Sequence, residues 1–349
     1  MQIWAQLPLR PPARVPQLAA RLEADGWDGV MLFDSQSLIG DPYVSLALAA
    51  TATTRLGLGI GVTNPVTRHP AIAASAIATV HEASGGRAVL GIGRGNSALA
   101  YLGAAPAPMA RFGHYLRLLQ GYLAGTPLPL EEVAAFGGAQ DLDTVTLGHR
   151  PDASALGWLD RSLPKVPVEV AATGPRVIAL GMQLGDRVSF SVGADAGRLR
   201  WAVDIARGTG ISRPLTAYVS VAAHDDRRIA RRLAAPDVAM HVHIAAMRGP
   251  STMPMSDAER ETAARVAAAY DMRRHARHGP QTEAMDDAFV DANAVIGTAR
   301  ECVERLLSLA ALGLDRLVLM IAAPGSPDAT AAYENLVREV LPELRRRGT

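Results

Sequence analysis

The residues best placed for chemistry in this 349-residue chain follow two apolar runs, at the point where each run ends. The first run, 56–62, is interrupted by three glycines, and the second is 88–92. Both are followed by polar residues and glycine: Thr63, Asn64, Arg94, Gly95 and Asn96. Glycine weakens a strand and often marks a bulge or a place where a ligand approaches the backbone. The two runs therefore predict strands whose carboxyl ends hold a ligand.

A further segment, residues 173–176, predicts an anion site. Thr173 and Gly174 follow an apolar run, and Pro175 stands in the first turn of a predicted helix, next to Arg176. A helix N-terminus offers unpaired N–H groups and the positive end of the helix dipole, which suit a phosphate. An ordinary strand-to-helix turn is the alternative interpretation, and the residues alone leave both open.

Two other strand ends add polar groups to the same edge. Ser191 and Val192 close the next apolar run, where the serine hydroxyl could contact the same phosphate. Asp34 follows the run 29–33, and Asp41 already precedes the proline that opens the next helix. A role for Asp34 in the site is therefore favoured over a role as a helix cap.

Several other chemistries lack their signatures. The glycines at 91, 93 and 95 lie in and after the fourth predicted strand, whereas a dinucleotide fingerprint follows a first strand. The sequence has no zinc-ligand spacing and no G-x-S-x-G nucleophile elbow. Its single cysteine, Cys302, lies in a helical pattern and is predicted to be a buried, unreactive thiol. We therefore expect no metal, and we expect a cofactor to carry the chemistry.

The nine histidines provide no cluster either. His69 precedes the proline of a predicted helix, and His81 and His114 lie within helical patterns, so we expect structural roles for them. His241 and His243 lie two apart on a predicted helix and therefore point to different faces.

Eight apolar, β-prone segments alternate with helical patterns along the chain. The segments are Gln2–Leu7, Gly29–Phe33, Arg55–Val62, Ala88–Ile92, Val166–Ala172, Arg187–Val192, Leu215–Ala222 and Arg316–Ile321. Strands that are apolar throughout and alternate with helices are typical of parallel sheets covered by helices. Eight of them predict a closed (β/α)8 TIM barrel, here one domain over residues 1–349. Two long gaps, at about 125–165 and 224–315, predict insertions after the fourth and seventh strands.

Bulk properties exclude some partners. The formal net charge is +1 and aromatic residues make up 5% of the chain, which disfavours nucleic acid or an anionic membrane as a partner. The first ten residues lack a signal-peptide pattern, and no apolar run reaches about 18 residues. A cytoplasmic protein that acts on a small molecule is expected.

Longer motifs carry a family resemblance. They are residues 63–70, 84–87, 91–99, 172–175, 270–275, 289–291 and 297–306. Together they resemble the bacterial luciferase-like family, and within it the branch of F420-dependent reductases related to methylenetetrahydromethanopterin reductase. The resemblance extends from Gln2 to about Leu341 and is weak over 125–165. It implies a TIM barrel, usually a homodimer, that holds F420 or a flavin such as FMN at the carboxyl ends of the strands.

The resemblance also implies roles for individual residues. A non-prolyl cis peptide is expected between Gly61 and Val62, where it would support the ring from behind. The implied catalytic residues are Asp34, Asn96 and His275. The implied cofactor-binding residues are Gly61, Val62, Thr63, Asn64, Arg94, Gly95, Thr173, Gly174, Pro175, Arg176, Ser191 and Val192.

The chain departs from its apparent relatives at three positions. Ser35 stands where sugar-phosphate-oxidising relatives have histidine, Asn96 where relatives have an acid, and Ala194 near the place of a lysine. The proton that accompanies hydride transfer would then come from water or from another residue such as His275. The cofactor tail would depend on arginines such as Arg176 or Arg248.

Three functions fit these observations. The first is an F420-dependent oxidoreductase that moves a hydride between the deazaflavin and a small organic substrate. The second is an FMN-dependent monooxygenase that uses reduced flavin and oxygen. The third is a barrel that binds a cofactor without turnover, which the amide at Asn96 would permit.

Overall fold

The computed structural model describes residues 1–138, 140, 142–247 and 251–348, and its parallel strands form a ring. The strands are β1 (Gln2–Gln6), β2 (Gly29–Leu32), β3 (Gly57–Thr63), β4 (Ala88–Ile92), β5 (Val168–Ala172), β6 (Arg187–Phe190), β7 (Leu215–Ala223), β8 (Val295–Gly297) and β9 (Arg316–Ile321). Strands β1 to β7 pair in chain order, except that β9 stands between β7 and β1. Pairing of β6 with β7 closes the ring into a (β/α)8 TIM barrel, as predicted.

All eight predicted strands are present, and one more is added. Strand β8 was not expected, and it pairs outside the ring with the last three residues of β7. A three-residue strand is too short for its hydrophobic pattern to stand out from a helical neighbourhood.

Helices follow the strands and cover the outside of the ring, which explains why the strands are buried on both faces. They are α1 (Val15–Ala24), α2 (Pro42–Ala50), α3 (Pro70–Ala83), α4 (Ser97–Ala100), α5 (Met109–Leu123), α6 (Leu130–Ala134), α7 (Pro175–Leu184), α8 (Ala196–Gly208), α9 (Arg227–Ala246), α10 (Asp257–Ala269), α11 (Pro280–Glu283), α12 (Asp287–Asn293), α13 (Ala299–Ala310), α14 (Pro327–Asn335) and α15 (Leu341–Arg347). Asp41 caps α2 as expected, since its Oδ1 accepts the N–H of Tyr43 at 2.8 Å.

The apolar periodicity of the sequence predicts helices over 257–278 and 329–346, and the structure differs from each prediction. The first helix ends at Ala269, because Tyr270 leaves the helical conformation and Asp271 caps a separate short turn. The second stretch has its predicted extent but contains a π-helical segment, Leu336–Val340. Pro342 follows directly and has no N–H to donate to the preceding turn, which accounts for the irregularity.

Both insertions lie where they were expected. The first contains α6 and a β-bridge between Leu128 and Ser154 but little other regular structure. The second is too long for one crossover, so its length predicts at least two helices, and it contains α9 to α12. Gly249 and Pro250, around which these helices were expected, lie outside the described residues. Within the ranges described, no helix is long and apolar enough to cross a membrane.

The inside of the barrel contains an apolar cluster formed by Trp4, Met31, Val89, Tyr218, Val318 and Met320. Met240, on α9, packs against this cluster. Glu169 and Arg316 lie nearer the amino ends of the strands and form a buried ion pair, with Nη1 of the arginine 3.1 Å from Oε2. The polar strand ends at the opposite side therefore form the mouth of the barrel, and α9 lies close to it.

Candidate active site

On the β3 side, the mouth of the barrel is lined by the backbone of β3 and β4 around Gly61 and Gly91, which we call the backbone wall. The peptide bond between Gly61 and Val62 is cis, as the family resemblance implied. The pairing of β3 with β4 shifts register between Ile60 and Thr63. The carbonyl of Gly61 accepts a hydrogen bond from Nε2 of Gln6 at 2.5 Å, which fixes its direction.

Glycine is required at two positions in this wall. A Cβ on Gly61 would lie 2.8 Å from the Tyr218 hydroxyl and 2.9 Å from Cβ of Met31. A Cβ on Gly91 would lie 2.2 Å from the carbonyl oxygen of Ile60. Both distances are too short for real contacts, so the glycines noted in the sequence permit this close packing of backbone.

Asp34 lies in the same wall, 8% exposed, after β2. Its Oδ2 accepts a hydrogen bond from the hydroxyl of Thr63 at 2.7 Å. Burial raises the pKa of Asp34, and the Thr63 hydrogen bond and the charge of Arg68 partly oppose this rise. The Arg68 Nε atom is 3.8 Å away, and its guanidinium also pairs with Asp41. Asp34 is therefore a buried carboxyl group that faces a hydroxyl and only a distant cation.

The loop after β4 brings the next group of predicted residues against β3. Gly95 adopts φ +88°, and a Cβ there would lie 3.1 Å from Cβ of Asn64. The side-chain oxygen of Asn64 accepts N–H groups of its own loop, whereas Nε of Arg94 donates to the carbonyl of Ala107 at 2.7 Å. Asn96 begins α4 without a capping hydrogen bond from its side chain. No hydrogen bond to the Asn96 side-chain amide is found among the described residues, so this amide can contact a ligand. The Asn64 amide and the Arg94 guanidinium instead hold the loops.

The predicted phosphate loop begins α7 after β5, two strands from β3 in the ring. No side chain caps the N-terminus of α7, but Pro175 has no N–H and the N–H groups of Val177 and Ile178 donate to the Gly174 carbonyl. An anion there would depend on the few remaining N–H groups and on Arg176, which is exposed beside them. The N–H of Ser191 donates to the carbonyl of Ala172 at 3.1 Å, which places this strand end next to Thr173. Arg248, the other arginine expected near the cofactor tail, lies outside the described residues.

A cavity of about 380 Å³ extends from Ser191 and Val192 to helices α9, α10 and α12. Most of its lining is alanine, valine and methionine, with Arg198 and His241 as buried polar members. Burial lowers the pKa of His241 to about 4, so this imidazole is neutral near pH 7. Arg198 is held by Asn293, whose Oδ1 accepts from Nη2 at 2.7 Å.

His275 belongs to an aromatic cluster formed with Tyr101, His243 and Tyr270. The Tyr270 hydroxyl lies 2.7 Å from Nδ1 of His275, and its ring stacks on that of His243 at 3.9 Å. The Tyr101 hydroxyl donates to the carbonyl of Met272, which ties the cluster to the loop that starts at Asn96. Burial, followed by the nearby His243, lowers the pKa of His275 to about 4. His275 is therefore a neutral imidazole and not a source of protons near pH 7.

The expectations for the remaining histidines and the cysteine are confirmed. Nδ1 of His69 accepts the N–H of Ala71, and Nδ1 of His81 accepts the N–H of Ala88. His241 faces the cavity while His243 stacks on a tyrosine, so the two do point to different faces. Cys302 is fully buried, and burial raises the pKa of its thiol to about 12.

Asp237 was missed at the sequence level, together with Tyr101 and Tyr270 as partners of His275. Asp237 lies on α9, in a helical stretch whose pattern resembles that of any surface helix.

In the part of the chain that the structure describes, no group of three or more His, Cys, Asp or Glu residues could hold a metal ion.

Comparisons with known proteins agree with this geometry. A family model described as luciferase-like monooxygenase matches residues 2–316. The 5,10-methylenetetrahydromethanopterin reductase of Archaeoglobus fulgidus is 28% identical over 87% of each chain. The F420-dependent glucose-6-phosphate dehydrogenase of Beutenbergia cavernae is 28% identical over 86% of this chain and 82% of that protein. The solved coenzyme F420 dependent tetrahydromethanopterin reductase from Methanopyrus kandleri has the same fold, with a TM-score of 0.70 at 22% identity over 98% of both chains.

Proposed function

The chain belongs to the luciferase-like monooxygenase family, and on this premise we propose that it is an F420-dependent oxidoreductase that moves a hydride between the deazaflavin and a small organic substrate. The carrying observation is the backbone wall at Gly61 and Gly91, which lies where the family resemblance places the ring. Two proteins that match most of the chain support F420 as the cofactor, since the glucose-6-phosphate dehydrogenase and the solved tetrahydromethanopterin reductase are both named as F420-dependent.

The residues of the mouth fit such a cofactor in two parts. The glycine wall with Asp34 and Thr63 would support the ring, and the uncapped start of α7 with Thr173 and Ser191 would hold a phosphate. The deazaflavin, when bound, supplies a hydride donor or acceptor. The protein orients the ring by these contacts, and Asn96 offers an unengaged amide to the substrate.

An FMN-dependent monooxygenase is the second candidate, because the matching family model is described as luciferase-like monooxygenase. The barrel and its mouth would serve either tricyclic ring. The two candidates differ in which cofactor the protein binds and in whether oxygen is consumed.

A binding titration separates them. The purified protein is titrated with F420 and with FMN, each oxidised and reduced, and cofactor fluorescence is followed. We expect F420 to bind at least tenfold more tightly than FMN. Tighter binding of FMN, with oxygen consumption by the reduced complex, would replace the first candidate with the second.

The phosphate loop is tested by a matched pair of arginine variants. Arg176→Ala should weaken F420 binding about threefold to tenfold, because it removes an exposed charge beside the anion site. Arg200→Ala removes an equally exposed arginine on α8 and should leave the affinity unchanged. Equal effects of the two variants would contradict a phosphate site at the start of α7.

Turnover is tested with substrates named for the relatives, methylenetetrahydromethanopterin and glucose 6-phosphate, and with simple ketones and secondary alcohols. Absorbance of the deazaflavin reports hydride transfer in either direction. Binding of F420 without turnover of any of these would support the third possibility, a barrel that binds the cofactor without catalysis.

A homodimer completes the proposal. Val44 on α2 and Ile72 on α3 are each 57% exposed, and Val66 lies between the two helices at 42%. Three large apolar side chains on neighbouring elements favour a surface covered by a second copy of the chain. Light scattering should give twice the chain mass, and Val44→Glu combined with Ile72→Glu should give a folded monomer. A wild-type monomer would contradict the dimer.

A further inference from the structure

Helix α9 carries a carboxyl group, that of Asp237, for which the described residues supply no counter-ion. Asp237 is partly buried, and burial is the only influence on its pKa, which rises to about 7. No hydrogen bond or ion pair to Asp237 is found among the residues that the structure describes. A carboxyl group in this state is costly for the fold when it is ionised, and such groups are frequent at functional sites.

The helix places this carboxyl group at the mouth of the barrel. Met240 lies three residues further along α9, and its side chain packs on the apolar cluster inside the barrel. Residues three apart on a helix are neighbours, with Cβ atoms about 5–6 Å apart. The same cluster contains Tyr218, whose hydroxyl reaches the glycine wall at Gly61. Asp237 therefore neighbours Met240, which packs on the same cluster as Tyr218, and Tyr218 lies behind the proposed ring site at Gly61.

Asp237 is also close to the aromatic cluster of His275. Burial is the largest cause that raises the pKa of the Tyr270 hydroxyl, and the charge of Asp237 is a lesser one. This hydroxyl is 2.7 Å from Nδ1 of His275. Tyr101 connects this cluster to the loop that starts at Asn96. The aromatic cluster near Asp237 is thus joined by a hydrogen bond to the short helix that Asn96 begins.

Several charged groups on elements that pack against α9 are paired with other residues, while Arg260 of α10 lines the cavity. Asp287 and Asp291 of α12 pair with Arg231, and Asp328 of α14 pairs with Arg232. Glu259 of α10 pairs with Arg198. On α9 itself, burial lowers the pKa of both His241 and His243, so both imidazoles are neutral near pH 7.

We propose that Asp237 is the residue that exchanges with the substrate the proton that accompanies hydride transfer. This rests on the proposed function. In the direction of reduction, the carbon of a substrate C=O or C=N bond gains the hydride of the reduced deazaflavin. The π electron pair moves to the heteroatom, which takes the proton of the Asp237 carboxyl group, and the carboxylate regains a proton from water. Oxidation of an alcohol or amine follows the same path in reverse.

The chemistry of the alternatives favours Asp237. An amide cannot give up a proton at neutral pH, so Asn96 can orient a substrate but cannot protonate it. His275 with a pKa of about 4 is already deprotonated. A carboxyl group with a pKa near 7 is about half protonated at neutral pH, which suits exchange in both directions.

The first experiment tests the position of Asp237 and needs no substrate. The protein is treated near pH 7 with a water-soluble carbodiimide and a glycine ester, with and without saturating F420, and labelled carboxyl groups are mapped by mass spectrometry. We expect Asp237 to be labelled in the free protein and at least fivefold less in the complex. Asp204, exposed on α8, should be labelled equally in both. If F420 binds and Asp237 is not protected, the inference is overturned while the proposed function stands. If F420 does not bind, the proposed function itself fails.

The second experiment tests the proton. Asp237→Asn should lower kcat about 100-fold with the best substrate of the turnover panel, the usual size of a lost general acid or base. F420 affinity should stay within twofold of wild type, and Asp237→Glu should recover part of the rate. In wild type the rate of reduction should fall as pH rises through about 7, and this limb should be absent in the Asn variant. An unchanged kcat or an unchanged pH profile in Asp237→Asn would overturn the assignment.

Discussion

The amino ends of the barrel strands, which form its floor, and the carboxyl ends, which form its mouth, both bury carboxyl groups. The floor surrounds its carboxyl group with cations, whereas the mouth leaves its carboxyl groups with few partners. At the floor, Glu169 is fully buried between Arg316 at 3.1 Å and Arg187 at 3.6 Å. Its Oε2 also accepts the hydroxyl of Thr216, and the Arg316 guanidinium lies 3.9 Å above the ring of Trp4. At the mouth, Asp34 has one hydroxyl partner and a cation at 3.8 Å, and Asp237 has neither among the residues that the structure describes.

This difference separates charges that hold the fold from charges kept for a ligand. A buried ion is tolerated when partners replace the water that it lost. The floor supplies those partners from neighbouring strands, so its charges are fixed. The mouth gives Asp34 and Asp237 fewer partners than Glu169 has. This lowers the stability of the fold but leaves these carboxyl groups able to gain and lose a proton. This agrees with the general rule that the carboxyl ends of barrel strands carry function and the amino ends carry stability.

The largest expected effect is at the floor. Glu169→Gln removes the charge that compensates Arg316 and should lower the free energy of unfolding by about 3–5 kcal/mol, the usual cost of breaking a buried ion pair. Urea unfolding measures it, with Glu339→Gln as the exposed control, which should change the value by less than about 0.5 kcal/mol. If Glu169→Gln lowers the free energy of unfolding by less than about 1 kcal/mol, the charges of the floor do not stabilise the fold and the two regions do not differ in this respect.

The next effect is on the backbone wall of the mouth. Gly91→Ala places a methyl group 2.2 Å from the carbonyl oxygen of Ile60, so β3 must move. We expect about 1–3 kcal/mol of lost stability, as for other overpacked sites, together with a loss of F420 affinity of tenfold or more. Gly138→Ala is the control, because a Cβ there meets open space. Retained affinity in Gly91→Ala would show that the wall does not support the cofactor.

The smallest effect is a gain of stability at the mouth. The folded-state pKa of Asp237, about 7, lies above that of an unfolded aspartate, so its contribution is present at low pH and is lost as pH rises from about 4 to 7. Asp237→Asn should therefore raise the free energy of unfolding at pH 7.5 by on the order of 1–2 kcal/mol after solvent screening. The gain should vanish near pH 4. A variant that is less stable at pH 7.5 would show that the carboxylate has a partner in the folded protein.

Sequence patterns alone were sufficient for the frame of the molecule. The eight barrel strands, the Asp41 cap of α2 and the two insertions follow from hydrophobic period and turn residues, because these signals are local. The cis peptide at Gly61 and the cofactor class came from the family resemblance, not from a physical reading of the strand. The roles of individual site residues in binding remain predictions.

Tertiary structure decided which side chains meet. The order of residues does not show that Glu169 lies beside Arg316, 147 positions away, or that Asp237 on α9 lies near Tyr270. Such facts depend on how strands and helices from distant parts of the chain pack, and burial, which shifts the pKa values at the mouth, exists only after packing. The sequence determined the barrel and the edge at which its polar residues gather. The fold determined which of those residues stay charged, which become neutral, and which can exchange a proton.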